Sequence, residues 1–111
     1  MGYLFENMVV IEALKSRLNA GKEPELYFYR DNRGDEVDLL FRRNRQLTPI
    51  EIKSAMTFHM EFVKGITRFR KIASSARKGY VVYAGDLTPD LPDARVLRFT
   101  EVDAIFKESG S

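Results

Sequence analysis

Residues 47–53 read Leu-Thr-Pro-Ile-Glu-Ile-Lys, a short, largely apolar run that holds one carboxylate and one amine two positions apart. Alternate side chains of an extended strand point to opposite faces of a sheet. Glu51 and Lys53 therefore share one face, while Ile50 and Ile52 anchor the other. The alternation predicts a half-buried strand that carries an acid and a base on the same surface.

A second alternating run lies just upstream and contains Asp38. When the apolar residues Val37, Leu39 and Phe41 face the core, Asp38 emerges on the opposite face. There it can meet Glu51 across a pair of neighbouring strands. Two acids and one lysine then converge, which is an arrangement typical of metal-assisted hydrolysis.

Three strands are predicted in succession, over residues 26–30, 36–42 and 47–53. Segments rich in turn-forming residues, 31–34 and 43–46, separate them. Connections this short favour hairpins, so we expect the three strands to form an antiparallel meander.

An amphipathic helix is predicted on each side of this meander in the chain. The first ends near Gly21, a residue type that commonly ends helices, and the second ends before Gly79. The apolar stripe of the second helix is expected to pack on the sheet. The marker residues are Leu4, Met8, Ile11, Leu14 and Leu18 in the first helix, and Phe58, Phe62, Ile66, Phe69 and Ala73 in the second.

The unbroken apolar run at residues 80–84 predicts a strand buried on both faces, which the second helix brings into the sheet parallel to the third strand. Residues 95–99 predict an edge strand, and Thr100 is expected to cap a short last helix. The fold class is therefore α/β, with an αβββαβ core and a mixed central sheet flanked by helices. One domain over residues 1–108 and a flexible tail at 109–111 are expected.

Composition narrows the classes of function. The 111-residue chain has no cysteine, which excludes disulfides, a thiolate nucleophile and cysteine-based zinc sites. Its apolar stretches are far shorter than the roughly 20 residues that span a bilayer, and no signal peptide opens it. We therefore expect a cytoplasmic protein that does not enter a membrane. The formal net charge of +2 is too small to indicate a partner.

Lys64, Arg68 and Lys71 recur at one-turn spacing on the second helix and so form one positively charged edge. Such an edge could lie along a phosphate backbone, which makes the three residues candidates for binding nucleic acid. A solvated helix face explains the same spacing equally well.

Several other polar residues have simple structural interpretations. Ser54 is more typical of a strand terminator than of a nucleophile, because a single histidine, His59, makes a catalytic triad hard to assemble. His59 itself is more typical of a surface position before a helix than of a metal ligand. Arg30 and Asp31 could steer a phosphate or pair with Glu36, but a structural role beside the turn is more common.

Glu6 on the first helix, Asp38 on the second strand and Glu51-Ile52-Lys53 on the third resemble the PD-(D/E)xK nuclease superfamily in order and spacing. Three segments more narrowly resemble the C-terminal domain of unknown function in prokaryotic AAA+ ATPases. They are Gly2-Tyr3-Leu4-Phe5-Glu6-Asn7, Tyr29-Arg30-Asp31 with Glu36-Val37-Asp38, and Pro49-Ile50-Glu51-Ile52-Lys53-Ser54. Val37 stands where the superfamily has a proline, which weakens the motif but removes no ligand.

This resemblance implies a restriction-endonuclease-like core that hydrolyses DNA or RNA phosphodiesters. Asp38 and Glu51 would hold Mg²⁺ or Mn²⁺, Lys53 would orient or help deprotonate the attacking water, and Glu6 would assist through metal or water. The chain would be the C-terminal part of a larger AAA+ ATPase. It contains no Gly-x-x-x-x-Gly-Lys-Ser/Thr loop, so no ATP site is expected in this segment.

Two other functions stay open. One is a non-catalytic module that binds DNA or a partner protein and positions the ATPase. The other is a structural domain in which Asp38, Glu51 and Lys53 form a solvated charge cluster, since acid and base often alternate on an exposed sheet face. Glu6 is equally explained as a first-turn acid that complements the helix dipole.

Overall fold

The computed structural model describes residues 2–108, so the tail expected at 109–111 lies outside the described residues. The five strands are β1 (Leu26–Arg30), β2 (Glu36–Arg43), β3 (Gln46–Lys53), β4 (Gly79–Tyr83) and β5 (Ala94–Arg98). The described helices are α1 (Gly2–Asn19), α2 (Lys64–Ile72) and α3 (Asp103–Glu108), and 3-10 turns at Met60–Val63 and Phe99–Glu101 come just before α2 and α3. The expected α/β class is confirmed.

The five strands form one sheet in the order β1-β2-β3-β4-β5. The first three are antiparallel neighbours, and β4 runs parallel to β3, as the sequence predicted. β5 lies at the edge and also runs parallel to β4. Because the segment between β4 and β5 contains no helix, helical periodicity could not predict that last parallel pairing.

Both faces of the sheet are covered by helices. α1 and α3 pack on one face, where Ile50 and Ile52 of β3 join the main apolar cluster. α2 packs on the other face through Ile66 and Phe69. Burying one large aliphatic side chain stabilises a fold by about 1.5–3 kcal/mol, so both layers contribute to stability. Among the described residues, no helix is long and apolar enough to cross a membrane.

Helix α1 is confirmed, but most of the residues that marked it do not form its buried face. Val9 and Ala13 are buried, while Leu4, Ile11 and Leu18 are each at least half exposed. Apolar residues occur on several sides of this helix. Helical spacing therefore predicted the helix without predicting how it is rotated against the sheet.

β2 is irregular where it carries Asp38. Tyr27 pairs with Leu40, but Tyr29 pairs with Val37, so the single residue of β1 between them faces two residues of β2. This two-to-one pairing is a β-bulge, a feature that re-aims side chains and is over-represented beside active sites.

The expectation that Val37 shares a face with Leu39 and Phe41 is wrong. Val37 packs with Leu40 and Phe69, on the side that α2 covers, whereas Leu39 and Phe41 pack on the α1 side. The bulge between these residues shifts the alternation by one position. The sequence prediction assumed strict alternation of faces along the strand, and strict alternation does not allow for such a shift.

The expected helix cap at Thr100 is also wrong. Thr100 lies inside the 3-10 turn Phe99–Glu101. The carboxylate of Glu101 accepts the backbone N–H of Arg98 at 3.0 Å and so closes this turn before α3 begins.

Candidate functional site

The site begins where the ladder between β2 and β3 ends. The last backbone pair is Leu39 with Ile50, and the next position outward places Asp38 opposite Glu51. At this position, side-chain carboxylates replace backbone carbonyl groups as the acceptors of backbone N–H hydrogen bonds. The N–H of Asp38 donates to Glu51 Oε2 at 3.2 Å, and the N–H of Ile52 donates to Asp38 Oδ2 at 2.8 Å. We call Asp38 and Glu51 the carboxylate pair.

Glu51 is the buried member of this pair, with 7% of its surface exposed. Burial raises the pKa of Glu51 to about 8, and the neighbouring Asp38 charge adds to the rise. The N–H of Asp38 and the charge of Lys53 oppose it with smaller effects. Glu51 therefore holds a proton at neutral pH, which reduces the repulsion between the two acids.

Helix α2 covers Glu51 through Gly65. A Cβ atom at position 65 would lie 2.6 Å from Glu51 Oε1 and 3.7 Å from the carbonyl oxygen of Glu36. Glycine is the residue that allows so close an approach, because it has no Cβ. Sequence reasoning did not identify Gly65, although a glycine inside an amphipathic helix is a signal of close packing.

Replacing Gly65 by alanine is expected to lower the free energy of unfolding by about 1–3 kcal/mol, because the methyl group displaces either α2 or the Glu51 carboxylate. This net loss already allows for the gain of about 1 kcal/mol that alanine gives over glycine in a helix. Urea denaturation measures it, and the loss should shrink in a Glu51→Ala background. Lys64→Ala, an exposed change in the same turn, is the control. Equal stability of Gly65→Ala and the wild type would show that α2 does not press on Glu51.

Glu6 and Asp38 line the same surface cleft, which has a volume of about 450 Å³. Strand β1 and the start of β2 complete its wall, and Glu51 does not line it. α1 begins at Gly2 and has no acid in its first turn, so complementing the helix dipole does not explain Glu6. Glu6 is thus related to Asp38 through the cleft that both residues line, whereas Asp38 and Glu51 are linked by hydrogen bonds.

The metal-ligand chemistry of the site rests on two acids. Within residues 2–108, no group of three or more histidine, aspartate or glutamate side chains is close enough to hold a metal ion. Magnesium prefers oxygen ligands, keeps several waters and is usually held by only one or two carboxylates. The carboxylate pair alone therefore has donor chemistry that suits such an ion, and Glu6 stands apart on the cleft wall.

Lys53 ends β3 and lies on the same face of the strand as Glu51. Its Nζ is 5.9 Å from the centroid of the Phe62 ring, within the range of a cation–π contact. Its charge also lowers the pKa of Glu51, which is a sign that the ammonium group is near the carboxylate pair. An aromatic ring from the turn before α2 thus helps to orient Lys53.

The basic edge of α2 is present on the surface. Lys64 and Lys71 are exposed, while Arg68 Nε lies 3.3 Å from Asp35 Oδ1 in a surface ion pair. Lys64 and Arg68 line a groove of about 480 Å³ between α2 and residues 91–93, and Lys71 does not. The ion pair with Asp35 neutralises part of the positive charge of this edge, because it occupies the Arg68 guanidinium group.

The polar residues beside the first turn have structural partners. Arg30 donates to Glu36 Oε2 from Nε at 3.1 Å and from Nη2 at 2.9 Å. Asp31 Oδ1 accepts the backbone N–H groups of Arg33 and Asp35 at 2.9 and 3.0 Å. Arg30 and Asp31 thus have the internal partners that a structural role predicts, and Arg30 also lines the cleft that contains Asp38.

Ser54 and His59 lie in the segment that leads from β3 to α2. Ser54 is exposed directly after β3, and His59 is exposed just before the turn Met60–Val63. The His59 ring packs against Phe62 with 5.5 Å between ring centroids. His59 thus occupies the surface position before a helix that the sequence indicated.

The fold and the site together define an α/β domain whose mixed sheet carries a partly buried pair of carboxylates at the end of an antiparallel strand pair. A family model described as a domain of unknown function, DUF4143, matches residues 1–105, and the chain belongs to this family. No curated protein matches the chain. The family match includes Glu6, the carboxylate pair, Lys53 and all of α2, so the whole candidate site lies inside the family domain.

Proposed function

We propose that this is a divalent-metal-dependent, nuclease-like domain of the PD-(D/E)xK type, with a restriction-endonuclease-like core, which hydrolyses phosphodiesters of nucleic acid. In its parent chain it would follow an AAA+ ATPase module. The observation that carries the proposal is the placement of Asp38 opposite Glu51 with Lys53 on the same face of β3. The order of these residues along the chain supports the superfamily resemblance.

The donor set fits a hard divalent cation. Each carboxyl group uses one oxygen to accept a backbone N–H, which fixes its position. Asp38 and Glu51 would hold Mg²⁺ or Mn²⁺ once the ion displaces the proton of Glu51, and Glu6 would assist from the cleft wall. When bound, such an ion supplies Lewis acidity toward a phosphoryl oxygen and makes water a stronger nucleophile near neutral pH.

The protein's own groups have separate tasks in this proposal. Asp38 belongs both to the carboxylate pair and to the cleft lined by Glu6, so a phosphodiester seated in that cleft reaches the pair at Asp38. Lys53 brings a positive charge that is fixed before the reaction begins. Preorganised charges of this kind stabilise negative charge as it develops on a phosphate in the transition state.

The direct test is incubation of the protein with plasmid, single-stranded DNA and single-stranded RNA in Mg²⁺ or Mn²⁺, beside matched samples with EDTA. We expect metal-dependent cleavage of at least one of these substrates, and the substrate cut identifies the class. An Asp38→Ala sample accompanies each reaction. Equal residual cleavage in wild type and Asp38→Ala would refute the proposal, since a contaminant would then account for the activity.

Lys53→Met is expected to lower the cleavage rate by about 100-fold, because it removes a charge that acts on the transition state. The stabilisation of the fold by added Mn²⁺ should persist, because Asp38 and Glu51 remain. Thermal melts with and without Mn²⁺ measure it beside initial rates. Lys22→Met, at an exposed position after α1, is the control for both measurements. Loss of the Mn²⁺ effect in Lys53→Met would show that Lys53 maintains the site instead of acting on the phosphate.

A non-catalytic DNA-binding module is the second candidate, and the basic edge of α2 with its adjoining groove favours it. This function predicts DNA binding that weakens steeply between 50 and 200 mM salt and survives Asp38→Ala. Lys64→Glu combined with Arg68→Glu should abolish this binding in a fluorescence anisotropy titration. Binding that is absent or insensitive to salt would favour a protein partner instead.

A further inference from the structure

A second pocket, of about 450 Å³, lies at the end of the sheet where the parallel strands β4 and β5 begin, whereas Lys53 lies where parallel β3 ends. Its lining includes Arg70, Arg77, Lys78 and Arg95, together with Tyr80 and Asp90. We call this the basic pocket. Asp90 is the one carboxylate among its described lining residues, and none of them belongs to the carboxylate pair or to its cleft.

Hydrogen bonds fix the segments that carry these cations. The N–H of Arg77 donates to the carbonyl oxygen of Leu47 at 2.7 Å, and Arg77 Nη1 donates to Gln46 Oε1 at 3.2 Å. The N–H of Gly79 donates to the carbonyl oxygen of Asp93 at 2.9 Å, which ties the start of β4 to the loop before β5. The backbone that carries these cations therefore needs little rearrangement when a ligand binds.

The charges in the pocket are only partly neutralised. Lys78 forms an ion pair with Asp90, and Arg70 Nη1 lies 3.0 Å from Asp93 Oδ1 outside the lining. The side-chain partner of Arg77 is a neutral amide. Burial raises the pKa of Tyr80, and the charges of Arg95 and Arg77, which line the pocket with Tyr80, oppose the rise.

We propose that the basic pocket binds a compact chain of adjacent phosphates, either as inorganic polyphosphate or as the phosphate chain of a nucleotide. Guanidinium groups present forked N–H donors that match phosphate oxygens, and the pocket volume is that of a small-molecule site. Tyr80 is only 9% exposed, so it offers little ring surface for stacking a base.

The shape of the pocket distinguishes this ligand from a nucleic acid strand. Phosphates joined by anhydride bonds lie closer together than successive phosphates along a nucleic acid backbone, and the four cations converge on one concavity. Binding through side chains needs no glycine-rich phosphate loop, and no hydrolysis of the ligand is proposed. The inference is independent of the proposed nuclease function, because it uses different residues at the other end of the sheet.

Calorimetric titration of the full chain with inorganic triphosphate, in magnesium-free buffer at low salt, is the test. We expect one site per chain, with affinity that falls as salt rises. Arg77→Gln with Arg95→Gln should weaken binding by at least ~10-fold, since charge-assisted hydrogen bonds are lost. Asp90→Asn should tighten binding, because it removes a repelling carboxylate and releases Lys78. This gain cannot arise from misfolding.

Arg33→Gln with Lys22→Gln is the matched control, since it also removes two positive charges, from exposed positions outside the pocket. Its affinity should stay close to that of the wild type. Equal weakening by both double variants would overturn the proposal in favour of general attraction between charges. ATP that binds about as tightly as triphosphate supports recognition of the phosphate chain. Single-stranded DNA that binds more tightly at equal phosphate concentration would overturn it.

Discussion

Replacement of Asp38 by asparagine is expected to lower the rate of metal-dependent phosphodiester cleavage by at least ~100-fold. The amide keeps the size of the side chain, and its oxygen can still accept the N–H of Ile52 that Asp38 accepts at 2.8 Å. It removes the negative charge that the carboxylate pair offers to a cation. The fold is therefore retained while the metal site is lost, and initial rates in Mg²⁺ and Mn²⁺ measure the difference.

Asp35→Asn is the matched control for this change. Asp35 lies three positions upstream and forms a surface ion pair with Arg68 at 3.3 Å, an interaction of small energetic value. Its cleavage rate should stay close to that of the wild type. Wild-type rates in a folded Asp38→Asn protein would show that the carboxylate pair is not the centre of the reaction.

Glu51→Gln is expected to change how stability depends on pH in metal-free buffer. The folded-state pKa of Glu51 is raised from an ordinary value near 4.5 to about 8, so the folded protein keeps this proton longer than the unfolded chain does. The resulting stabilisation is complete below about pH 4.5 and is lost as pH rises to about 8. Glutamine has no proton to lose at that position, so the variant should escape this loss.

Urea denaturation at pH 5 and pH 9 measures this effect. A shift of this size corresponds to several kcal/mol, so Glu51→Gln should be clearly more stable than the wild type at pH 9 and much closer to it at pH 5. Glu12→Gln removes a carboxylate from the surface of α1 and should show no such difference between the two pH values. If wild type and Glu51→Gln lose stability in parallel, Glu51 is not the protonated, buried acid described above.

Much of the fold followed from local pattern. The alternation around Ile50 and Ile52 predicted β3, and short turns on either side of β2 predicted the antiparallel meander. The apolar run that begins at Tyr80 predicted a central strand, and every residue of β4 is buried. Each of these features depends on neighbours in the sequence, and that is why the sequence alone was enough.

The features that sequence reasoning missed depend on contacts between distant residues. The bulge that turns Val37 toward Phe69 arises from pairing with β1. The rotation of α1, which buries Val9 and exposes Ile11, is set by packing against the sheet and α3. Local sequence pattern predicts neither the bulge nor the rotation, because the same pattern fits a regular or a bulged strand and a helix rotated either way.

In the candidate site, too, some features follow from local sequence pattern and others depend on contacts between distant residues. The spacing of Glu51 and Lys53, and their relation to Asp38, could be predicted from two strands and one hairpin. The burial of Glu51 under Gly65 could not, since it requires α2 to cross back over β3. Burial under this helix contributes to the raised pKa of Glu51, together with the charge of Asp38, so a contact that the sequence could not predict affects the protonation of the site.

Calorimetric titration of the wild-type chain with Mn²⁺ tests the central claim most directly, with thermal melts of the same samples as a second readout. We predict one site per chain and a stabilisation of about 2.7 kcal/mol when free Mn²⁺ reaches a hundredfold excess over its dissociation constant. Asp38→Asn combined with Glu51→Gln should abolish both signals, and Asp35→Asn should keep them. A wild type that shows neither heat nor stabilisation, or a double variant that binds Mn²⁺ as well as the wild type, would contradict the account.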